Sequence, residues 1–182
     1  GVQPQSETVW TQAKRYRVPC IAFINKMDRV GANFEKALIS IEEQLAANPV
    51  AIQIPIGSEE HFGGVIDLIS MQEHIFQDDS YGVEFVTKEL SEKLKDQAQE
   101  GRRRLLENLS LYDDDLLEKI VEEKEVNQKE IIEVLRKATL GGQITPVVCG
   151  SAFKNKGIQQ LLNAIVHCLP CPIDIPPVEA YH

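Results

Sequence analysis

The sequence predicts an α/β fold: a mostly parallel sheet with helices on both faces, interrupted by an α+β insertion. Three observations carry this. A continuous apolar run at 20–24 and a largely apolar one at 144–149 read as buried strands. Each is followed by a helix with apolar residues at helical spacing. Between them the chain changes style twice, first to short alternating strands and then to a long charged helical stretch. The 182 residues are 43% apolar and 26% charged, the usage of a globular chain able to bury a core without disulfides or a structural metal.

Ser6 is placed to cap a first helix with Val9, Ala13 and Tyr16 on one face, and Val18-Pro19 leads into the first buried strand. That strand stops at Asn25-Lys26-Met27-Asp28, just beyond its carboxyl end, where open α/β sheets bind ligands. Gly31 and Asn33 open a second helix, with Phe34, Ala37, Leu38, Ile41 and Leu45 along one face. From Asn48-Pro49 the period becomes two: Val50, Ile52, Ile54 and Ile56 alternate, and further strands are expected at 64–69 and 83–86 in an antiparallel arrangement. Residues 88–137 read as helical and hold 14 of the 28 acids and 11 of the 19 Lys and Arg residues, so most of this surface must face water. Apolar stripes such as Leu90, Leu94 and Ala98 or Ile131, Leu135 and Ala138 supply its buried side. Asn127 with Glu130 forms a capping box for the last of these helices, and Gly141-Gly142 stops it. The second buried strand, the loop Gly150-Ser151-Ala152-Phe153 and a helix carrying Ile158, Leu161, Leu162, Ile165 and Val166 come next. Pro170, Pro172, Pro176 and Pro177 then make a stiff linker. The expected division is 1–47 and 144–169 for the sheet core, 48–143 for the insertion and 170–182 for the linker.

Several function classes drop out. No apolar run approaches the roughly 18 residues of a membrane span, and no secretory signal pattern is present. A net charge of −9 argues against a broad electrostatic grip on nucleic acid. The four cysteines read as reduced cytosolic thiols, and Cys168-Leu-Pro-Cys171 has no second ligand pair, so no metal site is expected. His61, His74, His167 and His182 have neither metal-ligand nor catalytic-motif spacing. Asp113-Asp114-Asp115 reads as a helix start, and Arg102-Arg103-Arg104 as a solvated helix face. The run 150–157 superficially suggests a phosphate loop, but it lacks the glycine at 155 and the hydroxyl at 157 that the pattern demands.

Asn25-Lys26-Met27-Asp28 fits Asn-Lys-x-Asp, whose logic is guanine recognition. Guanine presents N1–H and the 2-amino group as adjacent donors, and an ionised Asp28 accepts both. Adenine lacks the 2-amino group and turns an acceptor toward the carboxylate, and sites of this kind reject such analogues by about 10⁴–10⁵. Asn25 can bond the Hoogsteen edge and pin neighbouring loops, while the Lys26 stem lies across the purine face. A backbone N–H of Ser151 or Ala152 is expected to meet guanine O6. The alternative is a polar strand-to-helix turn with Asp28 as a local cap.

The stretches 1–10, 25–34 and 150–157 closely resemble the bacterial-type translation elongation factor G family, and the likeness runs the whole length. The resemblance implies part of a P-loop GTPase-like fold whose insertion matches that family's extra subdomain. It implies a ribosome-dependent GTP hydrolase that moves tRNA and mRNA by one codon and assists ribosome recycling. Asn25, Lys26 and Asp28 match its base-specificity motif, and Ser151, Ala152 and Phe153 its second base loop. GTP or GDP is the implied ligand, with Mg²⁺ bound in the parent protein by segments that precede Gly1. This chain would then be an internal fragment with no catalytic residue of its own and no turnover alone. The implied partners are the ribosome, with its large-subunit stalk protein meeting the insertion at Leu90 to Leu109 and Asp113 to Val121, and tRNA and mRNA through other domains. A monomer in a bacterial cytosol or an organelle is expected. Ribosomal-protection and release-factor GTPases are the nearest alternatives, and a non-catalytic docking module is the other class.

Overall fold

A computed structural model describes residues 1–77 and 84–174; Val83, Pro176, Pro177 and His182, singled out above, lie outside them. The first helix, α1 (Pro4–Arg15), begins two residues before Ser6 because Pro4, with no N–H to lose, sits in the first turn. None of its residues is buried, and the expected Val9 and Tyr16 face is exposed. Side chain-to-backbone bonds hold it instead, from Trp10 Nε1 to Leu45 O at 2.8 Å and from Lys14 Nζ to Ala46 O at 2.9 Å.

Strand β1 (Ala22–Ile24) leads to α2 (Phe34–Leu45), whose N-terminus is capped by Asn33 Oδ1 accepting from Lys36 N–H at 2.8 Å. Two short strands follow, β2 (Pro49–Ala51) and β3 (Gln53–Ile56). After a single 3₁₀ turn, Glu59–His61, come β4 (Gly64–Asp67), β5 (Gln72–Phe76) and β6 (Phe85–Glu89). Three helices succeed them: α3 (Glu92–Ser110), α4 (Asp114–Val121) and α5 (Gln128–Leu140). The chain returns through β7 (Thr145–Cys149), a 3₁₀ turn Ala152–Lys154 and α6 (Ile158–Cys168).

The strands form two sheets. One is wholly parallel in the order β1-β7-β2, and the other wholly antiparallel in the order β3-β4-β5-β6. Strand β7 is central and buried at every position, as its apolar run requires, and each fully buried Val or Leu contributes about 1.5–3 kcal/mol. Strand β1 differs from expectation: it is half-buried, because it is the edge of the described sheet. Val50 also departs from the antiparallel reading, since β2 pairs in parallel with β7; Ile52 lies between the strands and donates to Val147 O, and only Ile54 and Ile56 enter the second sheet. Helices α5 and α6 pack on each other and on β7, while α2 packs on β2 and α1.

Three further differences have local causes. The charged helical stretch starts at Glu92 rather than Lys88, because Phe85–Glu89 is claimed by pairing with β5. Strand β4 ends at Asp67, whose carboxylate accepts from Ile69 N–H at 2.8 Å and from the Ser70 hydroxyl at 2.8 Å, turning the chain. Arg102 is not part of a solvated face: its guanidinium donates to Leu68 O, Ile69 O and Val126 O at 2.7, 2.6 and 2.9 Å, fastening α3 to two loops. Arg103 and Arg104 do face water, paired with Glu100 and Glu107. The capping box at Asn127 and Glu130 forms as expected, and Asp113 caps α4 by accepting from Leu116 N–H at 3.1 Å.

Candidate guanine-binding site

Parallel pairing brings the carboxyl ends of β1 and β7 side by side, with Ile24 opposite Cys149. The ladder continues one step beyond the strands. Gly150 N–H donates to Ile24 O and Met27 N–H donates to Gly150 O, both at 3.0 Å, so the two following loops are sewn together at their roots. Only glycine fits at 150, where a β-carbon would lie 2.2 Å from Lys156 O and 2.8 Å from the Phe23 ring.

In the first loop the four motif residues divide their work. Met27 is 1% exposed and anchors the loop in the core. Lys26 is forced into the left-handed region at φ 65°, a conformation that costs a residue with a β-carbon roughly 1–2 kcal/mol and is kept by the fixed residues around it. The Asn25 side chain supports this turn and reaches further: its Oδ1 accepts from Lys26 N–H at 2.7 Å and from Ala152 N–H at 2.9 Å. Asn25 thus joins two loops that are 127 residues apart in sequence. Its Nδ2 makes no hydrogen bond among the described residues and stays available to a ligand.

Asp28 lies in the same cleft with its side chain 14% exposed. Its Oδ2 pairs with Lys154 Nζ at 3.2 Å. Burial works to raise its carboxyl, but hydrogen bonds from the Ser151 side chain and Lys154, with the Lys154 charge, outweigh this and hold it below the usual Asp value. Asp28 is therefore an ionised acceptor at neutral pH, the state that two adjacent donors require.

The second loop is closed on itself. Ser151 N–H donates to Lys156 O at 2.9 Å and Lys156 N–H returns to Ser151 O at 3.0 Å. Ser151 is 1% exposed beneath Asp28, whereas Phe153 is 96% exposed at the rim. The backbone donors expected to face a base oxygen are both engaged within the protein, Ser151 N–H by the loop closure and Ala152 N–H by Asn25. Asn25, Lys26, Asp28, Ser151, Ala152 and Phe153 are all brought to one place, at the carboxyl end of the parallel sheet.

Residues that sequence reading passed over complete the surroundings. Lys154 pairs with Asp28, and its only signal was its position beside Phe153. Lys156 is buried and donates from Nζ to Phe62 O at 3.2 Å. Glu59, from the 3₁₀ turn between β3 and β4, bonds Met27 and Gly31. Cys168 is buried, with its thiol pushed up to about 11 by burial, while Cys171 is exposed. Among the described residues no group of three or more His, Cys, Asp or Glu side chains is arranged to hold a metal.

Residues 1–171 match the family model described as Elongation factor Tu GTP binding domain. The chain is 54% identical over 180 residues to Elongation factor G 2 of Syntrophomonas wolfei, covering 99% of this chain and 26% of that protein. It is 51% identical over 179 residues to Elongation factor G 2 of Desulfotalea psychrophila, covering 98% of this chain and 26% of that protein. In structure it is similar to the crystal structure of a Thermus thermophilus protein designated ttk003000868, with a TM-score of 0.81 at 26% identity, over 96% of this chain and 26% of the other. The chain spans about a quarter of the length of the curated relatives it matches.

Proposed function

Because the chain belongs to the family of elongation factor Tu GTP-binding domains, we propose that it is the base-recognition part of a ribosome-dependent translational GTPase of the elongation factor G kind. The observation that carries this reading is the joining of the two loops, with Asn25 Oδ1 on Ala152 N–H at 2.9 Å and Asp28 ionised beside Ser151 and Lys154. In this role Asp28 accepts N1–H and the 2-amino group of guanine, and must exchange Lys154 for them. Asn25 Nδ2 donates to the Hoogsteen edge, and the Lys26 stem and the exposed Phe153 ring flank the purine. Ser151 acts through Asp28 and is a positioning residue.

The parent protein binds GTP and GDP with Mg²⁺ held by other segments, hydrolyses GTP on the ribosome, moves tRNA and mRNA, assists recycling and works as a monomer in the cytoplasm. Residues 48–143 form its inserted subdomain, between core segments 1–47 and 144–169, with a linker at 170–182. This stretch alone turns over no GTP, as it carries no Gly-x-x-x-x-Gly-Lys-Ser/Thr motif.

A second reading concerns the insertion. Helix α4 leaves Leu117 and Val121 exposed beside the densely charged α3, a combination suited to docking a partner such as the ribosomal stalk protein. Both readings hold together in the parent protein.

An NMR titration of the chain with GDP, and separately ADP, tests the first reading. Shifts at the Asn25, Asp28 and Ala152 amides with GDP and not ADP are expected, even at millimolar affinity. Equal shifts with the two nucleotides, or none with GDP, would count against it.

A further inference from the structure

The turn between β3 and β4 reaches the base loop through a residue in an unfavourable backbone state. Glu59 follows β3 and sits at φ 55°, in the left-handed region that a residue with a β-carbon seldom adopts. Two hydrogen bonds accompany that conformation. Its backbone N–H donates to Met27 O at 3.0 Å, and its Oε1 accepts from Gly31 N–H at 2.8 Å. The pair brackets Asp28 in the chain, one bond on the residue before it and one three residues after. Between them the loop turns twice, with Arg29 N–H donating to Lys26 O at 3.1 Å and Ala32 N–H to Arg29 O at 3.0 Å. Gly31 is itself left-handed, at φ 84°, so its N–H is aimed by a conformation only glycine takes freely.

The second base loop is tied to the same connection between β3 and β4. Buried Lys156 donates from Nζ to Phe62 O at 3.2 Å, and on the helix that follows the loop Gln160 Nε2 meets His74 Nδ1 of β5 at 3.2 Å. The two base loops are thus held by each other through Asn25 and by the connection between β3 and β4 from outside.

From this geometry we infer that Glu59 is a positioning residue for guanine recognition: it clamps the Asn25–Asp28 turn so that both Asp28 oxygens face the adjacent donors of the base. The inference rests on the guanine reading above. It makes the insertion a determinant of nucleotide affinity, because the clamp sits in the turn between β3 and β4 and the clamped residues in the loop that follows β1. A two-donor contact is sensitive to the tilt of the carboxylate, so loosening the turn weakens GDP and, more specifically, erodes discrimination against a base lacking the 2-amino group.

The test uses the full-length protein, with Kd measured for GDP and IDP, the latter having no 2-amino group. Glu59→Ala leaves a β-carbon in place, so the left-handed cost is unchanged and only the carboxylate is lost. It is expected to raise the GDP Kd about tenfold and lower the GDP-over-IDP preference about threefold, the scale of one charge-assisted hydrogen bond. Glu59→Gln keeps Oε1 as an acceptor and is expected to stay within about twofold of the wild type, a rescue that a general fold defect would not give. Should the alanine variant fail to fold, Glu59→Asp, one methylene short of Gly31, is read the same way. Wild-type preference for GDP with unchanged affinity and preference in the variant would overturn the role of Glu59 and leave the guanine reading standing. No GDP-over-IDP preference in the wild type would overturn both.

Discussion

Replacing Asn25 separates the two tasks its side chain is positioned to perform. Asn25→Ala removes the acceptor of two hydrogen bonds, to Lys26 N–H at 2.7 Å and Ala152 N–H at 2.9 Å. Both bonds lie near the surface, where water replaces a lost partner, so each is worth about 1 kcal/mol net rather than its full strength in a dry interior. The Ala152 bond alone sets a lower figure, and both acting together set the upper one. Opening of the second loop therefore becomes easier by about 1–2 kcal/mol, and exchange of the Ala152 amide with solvent accelerates roughly 5–30-fold. Asn25→Asp keeps an acceptor oxygen, now ionised, so Ala152 stays protected; the lost Nδ2 donors reduce nucleotide affinity in the full-length protein all the same. Hydrogen exchange followed by NMR on the 182-residue chain, with a melting curve to confirm folding, reads the first effect directly. Unchanged Ala152 exchange in Asn25→Ala, or equal acceleration in both variants, would refute the reasoning.

Three other outcomes follow from the geometry. Arg102→Ala is expected to cost about 2–4 kcal/mol in urea unfolding, since the carbonyls of Leu68, Ile69 and Val126 lose their shared donor, whereas exposed Arg103→Ala is expected to cost under about 0.5 kcal/mol; equal costs would contradict the assignment. Asp28 has its carboxyl held below the ordinary value, so the stability it contributes is fully present above the unfolded value near about 3.9 and is lost as pH falls through the lower folded value. The stability difference between wild type and Asp28→Asn is therefore expected to shrink when unfolding is measured below about pH 4, and a constant difference would count against an ionised, stabilised Asp28. Charge reversal at exposed Lys93 or Glu107 on α3 is expected to weaken stalk-protein binding and alter its salt dependence, and no effect at either position would argue against that surface.

The parts of the site legible in the sequence were those fixed by local order. An apolar run followed at once by Asn-Lys-x-Asp, and a second run followed by Gly-Ser-Ala, place both loops at strand ends whatever lies between them. Strand neighbours are not local: β1 read as buried on both faces because composition records apolarity and not whether a strand stands at an edge. Strand β5 escaped notice because Gln72, Glu73 and His74 look like a loop, yet Glu73 is buried and accepts from the Ser91 backbone and hydroxyl at 2.7 Å. Arg102 shares its sequence neighbourhood with two solvated arginines and differs only in pointing at Leu68, Ile69 and Val126. Glu59, Lys154 and Lys156 matter through partners 28 or more positions away, a relation that no spacing rule reveals.

Whether Asp28 reads the 2-amino edge of guanine is tested most directly by Asp28→Asn in the full-length protein, with affinities measured for GDP and xanthosine diphosphate. An amide in place of the carboxylate offers a donor to the xanthine O2, so preference is expected to pass from GDP to xanthosine diphosphate. A variant that still prefers GDP would contradict guanine recognition by this site.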